Sequence, residues 1–592
     1  MVDVPVTIWR VGRRTQDLSQ PSAWRATGIQ DQGDRGAFLS EIEKYVADEY
    51  STSQAWEGRD KASVFTNEEQ PEGKLPSVLE VICSETAHAA VTVVIEHAYF
   101  DLDFRSEYAL SITRKFRFDP PLQDRLHFFS APISSADFRR ALRNGRSRKL
   151  ADSYLGYVIL RRSKDAVVGR SLIMPPRSPL ELLETKPLLR RVRTLVEESV
   201  TLLGIPLVAR GVPFMQQDGS ILRCAHVTSW MAHYASVLTG VVPRVTTAEL
   251  HLASLDVTRR IQRQYPSPGL TVDQLLGALW RCALPPDVFP LENLCTESRD
   301  LDWHDRPLKA RSKLFWRREN LTSTVARYLN SGLPVLIAKG EHVVAICGYA
   351  RADDESKYKN KLPDDPSRVT SFVVQDDTVG PYQFLPVDRC TRKVGPYDMV
   401  VVPVPQGLSL SGEDAERWGV RYIKEQLKSA LLNDKIKAFP NSAEALRELK
   451  RRLDGNALAV RTYAQDSSSF KRSFFARCPD PRPRYLLALA RLPKYVWVVE
   501  IVDRARRRDP KRLPPVLGEA VIDATASAVA DAETLFVHLP GFVSVKDRPS
   551  GGTDWDLPCG SRFYDSGRWA QDPMRGLNAE DVTRNSKSAG IP

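Results

Sequence analysis

The chain has 592 residues, of which 42% are hydrophobic and 27% charged, with a formal net charge of +11. That length corresponds to about three to five domains, and the composition is that of a globular protein with sizeable cores, not of a fibrous or disordered one. No run approaches the roughly 18 apolar residues of a membrane span, and MVDVPVTIWRVGRRTQD at the start has no signal-peptide core, so no membrane contact and a cytoplasmic location are expected.

Residues 1–75 are polar and rich in turn formers, with one helix expected over 35–49. From about residue 78 the texture changes. AVTVVIEHAYFDLDF (90–104) alternates and is β-branched, as a strand should be. Further strands are expected over 124–131, 153–161 and 169–176, the last two pairing through the SKDA turn, before Pro175, Pro176 and Pro179 break the pattern. His97, Asp101, Asp103, Arg105 and Glu107 form a polar cluster that reads as a solvated sheet edge.

A helix is expected over 181–203. A second follows Cys224, where Val227, Trp230, Met231, Tyr234, Val237 and Leu238 make the i, i+3, i+4, i+7 stripe of a buried helix. Helices over 271–282 and 320–330 precede strands over 334–339, 342–350, 371–375 and 398–405, so helices come first and an antiparallel meander follows. Beyond residue 411, helices over 414–432 and 442–453 lead into strands over 457–463, 495–502, 519–522 and 535–545. The expected organisation is an irregular segment (1–75), an α+β domain (76–178), a central domain (179–410), a C-terminal α/β domain (411–570) and a disordered tail (571–592).

The eight cysteines (83, 224, 282, 295, 347, 390, 478 and 559) include no CxxC pair, so neither a disulfide framework nor a zinc finger is expected. Cys282, Cys295 and His304 have no standard metal spacing and read as unrelated residues. Cys347 reads as core. No cofactor and no metal are expected. Basic runs at 139–149 and 504–512 could meet an acidic partner, but they lack the interleaved aromatics that stack on single strands, so nucleic acid is not the expected partner.

Cys224 alone stands at the start of an apolar-striped helix, where the helix dipole and free N–H groups favour a thiolate. His342 begins one strand of the meander and Asp376 ends the next, so adjacent antiparallel strands can bring base and orienting carboxylate together. Asp377 is the alternative orienting group. His226 and His233 are rival histidines on the helix itself. An oxyanion needs two donors: the Cys224 N–H and a side-chain amide upstream, for which Gln217 is suited, with Gln216 beside it.

QQDGSILRCAHVTSWM resembles the Gln-loop-Cys-helix signature of papain-like cysteine peptidases, in particular their bacterial, bacteriocin-processing branch. Gly332-Leu333-Pro334-Val335 through His342 to Gly348-Tyr349 is similar to that branch's histidine motif, and Asp376-Asp377-Thr378-Val379-Gly380 to its Asp-Pro-x-x-Gly turn, with Asp377 in place of proline. The likeness covers about residues 205–405. The glutamine lies one position further from the cysteine than is usual, and Arg223 and Ala225 flank the cysteine where other residues are common. The resemblance implies a multidomain α+β protein with a central papain-like domain. It implies a thiol hydrolase of a protein or peptide substrate, with Cys224 as nucleophile, His342 as base, Asp376 as orienting group and Gln217 in the oxyanion hole. A catalytically inactive papain-like scaffold and a nucleic-acid-associated protein are the competing expectations.

Overall fold

Two sheets share the part of the chain that carries these motifs. The computed structural model describes residues 6–11, 24–29, 78–83, 90–110, 113, 123–161, 167–175, 188–218, 222–256, 269–295, 321–352, 366–437, 440–454, 458–478, 480–503, 515–528, 531–546, 555–558 and 564–565. The fold is α+β and falls into two units. Unit 1 comprises Met1–Pro290, Pro334–Ala350 and Ser371–Pro403; unit 2 comprises Leu291–Leu333, Arg351–Thr370 and Val404–Pro592.

The first sheet of unit 1 contains β1 (Val6–Val11), β2 (Trp24–Ile29), β3 (Thr92–Tyr99), β4 (Gln123–Phe129), β5 (Tyr154–Leu160) and β6 (Val168–Ile173). The chain then forms β7 (Leu188–Val192), β8 (Val196–Leu202) and β9 (Ile205–Phe214). The sheet order is β2-β1-β3-β4-β5-β6-β9-β8, antiparallel except for the β1–β2 pair. The helix expected over 181–203 is therefore corrected: its described part holds two strands, Leu188–Val192 and Val196–Leu202. Along β8, buried and exposed residues alternate from Val196 to Leu202, and Leu203 and Gly204 both take positive φ, as a two-residue hairpin turn requires. The strand expected over 90–104 stops at Tyr99; Leu102–Leu110 is a helix that buries Asp103, Phe104 and Glu107.

The second sheet of unit 1 contains β10 (Pro286–Pro290), β11 (Val335–Lys339), β12 (His342–Ala352), β13 (Val369–Asp376), β14 (Gly380–Pro386) and β15 (Met399–Pro403). Its order is β10-β15-β11-β12-β13-β14, with β7 also pairing β12. The helix Cys224–Leu238 is buried along most of its length. Through Ala225 and Ala232 it shares a core with Leu336, Ala338, Val343, Ala345 and Val401 of this sheet and with Leu275 and Leu279 of the helix Val272–Arg281. Cys347 is buried, as expected.

The sheet described in unit 2 runs in the order β16 (Leu458–Asp466), β17 (Tyr495–Asp503), β18 (Pro515–Asp523), β19 (Thr534–Leu539), β20 (Phe542–Val545) and β21 (Trp555–Pro558), with β22 (Tyr564–Asp565) also pairing β18. The strand expected over 535–545 is thus a hairpin, turning at Pro540-Gly541, where Gly541 takes a φ of 85°. The helix Gly412–Leu432 covers one face, with Gly419 against Val499 and Ile522. Arg461, Glu500, Glu519 and His538 stand opposite one another across β16 to β19, all buried, and Arg477 donates to Glu519 at 2.7 Å.

Burial pushes His538 down to about 3, so the folded unit holds a neutral ring. A depressed histidine contributes stability above its unfolded value of about 6.5 and loses it as pH falls towards the folded value. Hydrogen-exchange protection of β18 and β19, corrected for intrinsic rates, is expected to fall between pH 6.5 and about 3. His538→Phe is expected to flatten that slope.

The expected helix over 35–49, the basic run 504–512, His304, Cys559 and the tail 571–592 lie outside the described residues.

Candidate active site

Cys224 is the first residue of its helix. Arg223 before it is extended, with φ −105° and ψ 171°, and its N–H donates to His226 Nδ1 at 3.3 Å. The half-buried Cys224 thiol lies 3.6 Å from the carbonyl oxygen of Glu341. The Cys224 N–H has no hydrogen-bond partner among the described residues, so this donor at a helix N-terminus remains available.

His342 opens β12 and faces the same point. Its register is fixed from both sides. Thr228, one turn into the Cys224 helix, donates to the carbonyl of Val343 at 2.9 Å. The preceding turn is held by Asp398, which accepts from Gly340 N and Gly395 N, each at 2.8 Å. His342 Nε2 lies 3.2 Å from Asp376 Oδ1, and the imidazole also shares a hydrogen bond with Cys224. With Nε2 committed to Asp376, Nδ1 is the nitrogen left for the thiol.

Asp376 is 4% exposed and is held by the residue two further on: Thr378 donates to Oδ1 through its backbone N at 3.0 Å and its hydroxyl at 2.7 Å. This is an Asx turn, a local motif of Asp-x-Thr sequences. Burial works to raise the Asp376 carboxyl, but the hydrogen bonds from His342 and Thr378 and the charge of His342 outweigh it and hold it below the usual range. Burial likewise disfavours the charged His342 ring, yet the hydrogen bonds with Asp376 and Cys224 and the two nearby carboxylates keep it well above 6.5.

Asp377 is wholly buried, with Oδ1 3.9 Å from His342 Nε2. Neither oxygen has a hydrogen-bond partner among the described residues, and burial pushes the carboxyl up to about 7. Of the two aspartates, Asp376 has the nearer and better-supported contact.

Gln216 and Gln217 differ in the same way. Gln216 is bound into the sheet: its Oε1 accepts from Val168 N at 3.2 Å, and its carbonyl oxygen accepts from the buried Arg161 guanidinium. Gln217 is half-buried, and its side chain has no hydrogen-bond partner among the described residues, Cys224, His342 and Asp376 included. Next to it, Asp218 accepts from Leu222 N at 2.8 Å.

The rival histidines are structural. His226 and His233 are fully buried, and burial drives them down to about 3 and about 4. His226 Nδ1 accepts from Arg223 N, so its proton lies on Nε2, which meets His251 Nδ1 at 3.0 Å.

The polar cluster read as a solvated edge is corrected in part: Arg105 is exposed and His97 half-buried, but Asp101, Asp103 and Glu107 are at most 3% exposed. Trp230 of the Cys224 helix donates to Asp103 at 3.2 Å, and Arg244 at 2.8 Å. Arg170 of β6 donates to Asp101 at 2.8 Å, to Glu198 at 2.8 Å and to Tyr234 of the Cys224 helix at 2.7 Å. The helix that carries the thiol is therefore hydrogen-bonded to the first sheet. Sequence reading missed Thr228, Thr378, Asp398 and Arg170; only Thr378 had a local signal, its spacing from Asp376.

Gly380, just after the Asx turn, has a φ of 145°, and a Cβ there would come within 2.6 Å of Val81 Cγ1. Gly380→Ala combines backbone strain with a clash and is expected to lower stability by about 1–3 kcal/mol. It is also expected to loosen Asp376, read as a lower urea midpoint together with slower Cys224 alkylation.

The only three-residue cluster of histidine and carboxylate donors able to surround one cation among the described residues is His342, Asp376 and Asp377. No helix among the described residues is long and apolar enough to cross a membrane. The exposed basic face at Arg139, Arg140, Arg143 and Arg148 lies away from these contacts in sequence and makes none of them. No protein-family model, no curated protein and no solved structure matches this chain.

Proposed function

We propose that unit 1 is a papain-like cysteine hydrolase that cleaves an amide bond of a protein or peptide. The observation that carries the reading is the chain of contacts from Cys224 through His342 to Asp376, with the thiol at a helix N-terminus. Three side chains far apart in sequence converge in the order thiol, imidazole, carboxylate, which is the arrangement nucleophilic catalysis needs.

In the proposed reaction the Cys224 sulfur attacks the carbonyl carbon of the scissile amide while its proton is held by His342. The oxyanion is stabilised by the Cys224 N–H and by the Gln217 amide, neither of which has a hydrogen-bond partner among the described residues. His342 gives the proton to the leaving amine, the C–N bond breaks and a thioester remains. Water loses a proton to His342, attacks the thioester and releases the acid; Cys224 then regains its proton. Asp376 keeps one imidazole face turned to it throughout, so the other nitrogen faces sulfur. The same thioester would serve deamidation or acyl transfer, and geometry alone does not separate these.

The test is to incubate wild type and Cys224→Ala with a proteome-derived peptide library and read the products by mass spectrometry. New termini or deamidated side chains that appear only with wild type are the expected result. Identical libraries after both incubations, with no acylated Cys224 trapped by acid quenching, would sink the proposal.

A further inference from the structure

We propose that His342, Asp376 and Asp377 form a binding site for a zinc-class divalent metal ion on the side of the imidazole that faces away from Cys224. The three donor atoms lie within 4.8 Å of one another, all in buried residues. Tetrahedral zinc, with bonds of about 2.0–2.2 Å, places its ligand atoms about 3.4 Å apart. His342 Nε2 is 3.2 Å from Asp376 Oδ1 and 3.9 Å from Asp377 Oδ1, which brackets that spacing. One imidazole and two carboxylates are a donor set that zinc accepts, with its fourth position left to water.

The independent pointer is Asp377. It is wholly buried, sits beside the ring, and has neither oxygen hydrogen-bonded among the described residues. Buried carboxyl groups are ordinarily paired, because desolvation without a partner is costly. The Asp376 role needs one carboxylate, already oriented by Thr378; a second, with no hydrogen bond among the described residues, is unexplained by hydrolysis. A bound cation supplies the direct ligation that the His342 ring, 3.9 Å away, does not.

The regulatory consequence rests on the hydrolase reading; the metal site does not. When zinc takes the lone pair on Nε2, the proton that nitrogen carried is released to solvent and Nδ1 keeps its own. The ring then has no lone pair for the thiol proton, so a metal-loaded site is held inactive without Cys224 being touched.

The experiment is calorimetric titration of the full chain with zinc chloride near neutral pH, on wild type, Asp377→Asn and His342→Ala, with circular dichroism to establish that each variant is folded. Cobalt(II) absorption spectra follow as a second readout. One zinc per wild-type chain is expected, with affinity weakened about tenfold or more in both variants and cobalt d–d bands in wild type only. Equal affinity in wild type and Asp377→Asn, or no saturable binding in wild type, would overturn the proposal. Neither readout needs activity. Zinc binding in a protein whose Cys224 alkylates no faster than its other cysteines would sustain the metal site while the hydrolase reading fails; a reactive Cys224 with no zinc binding would do the reverse.

Discussion

Replacing Asp376 by alanine is expected to lower Cys224-dependent hydrolysis by about 10²–10⁴-fold, the usual contribution of a positioned acid–base pair. Asp376 is the imidazole's nearest acceptor, at 3.2 Å, and its charge helps to hold His342 well above 6.5 against burial. In Asp376→Ala, burial acts with less opposition, and the imidazolium persists only at lower pH. Asp376→Asn keeps an oxygen for the Nε2–H but no charge, and is expected to lose less.

The same pair sets a stability trend. A histidine raised in the folded state contributes stability that is complete below the unfolded value of about 6.5. That contribution is lost as pH rises through the folded value. Asp376, depressed in the folded state, contributes above its unfolded value and loses that contribution as pH falls. Wild type is therefore expected to lose stability above pH 6.5 faster than Asp376→Ala, as measured by urea midpoints across that range.

The second large effect is on the scaffold. Arg170 is 5% exposed and donates at once to Asp101, Glu198 and Tyr234. Its removal leaves the buried Asp101 carboxylate and the partly buried Glu198 carboxylate without their cation. Breaking a buried ion pair in this way typically costs about 3–5 kcal/mol, a large share of a total stability of about 5–15 kcal/mol. Arg170→Leu is expected to shift the urea midpoint accordingly. It should also slow Cys224 alkylation, because Tyr234 lies on the helix that carries the thiol. Arg170→Lys keeps the charge but cannot reach three partners with one planar fork, and is expected to fall between the two. A midpoint for Arg170→Leu equal to wild type would mean that the network does not anchor the helix.

Much of the second sheet was legible because its signals are local. The stripe from Val227 to Leu238 has helical period, and the strands around His342 and Asp376 are short β-branched runs between turns. Chain order alone then put a thiol, an imidazole and a carboxylate within reach of one another. What was not legible depends on distant partners. Asp101, Asp103 and Glu107 look solvated in sequence; they are buried because Arg170, Arg161 and Arg244 come to them from residues 54 to 141 positions away. Residues 196–202 carry Glu197, Glu198 and Leu202, which suit a helix, but they pair with β9 across a Leu-Gly turn, and that pairing overrides propensity. The choice between Gln216 and Gln217, and between Asp376 and Asp377, turned on which side chain the sheet or an Asx turn had already claimed.

The most direct test of the central claim is the rate of iodoacetamide alkylation at each cysteine from pH 5 to 9, read by peptide mass spectrometry in wild type, His342→Ala and Asp376→Ala. The account expects Cys224 to label fastest, to remain reactive below pH 7, and to lose that acid-side reactivity when His342 is removed and part of it when Asp376 is removed. Labelling of Cys224 at the same rate as the buried cysteines, and unchanged by loss of His342, would contradict a working thiol–imidazole–carboxylate site.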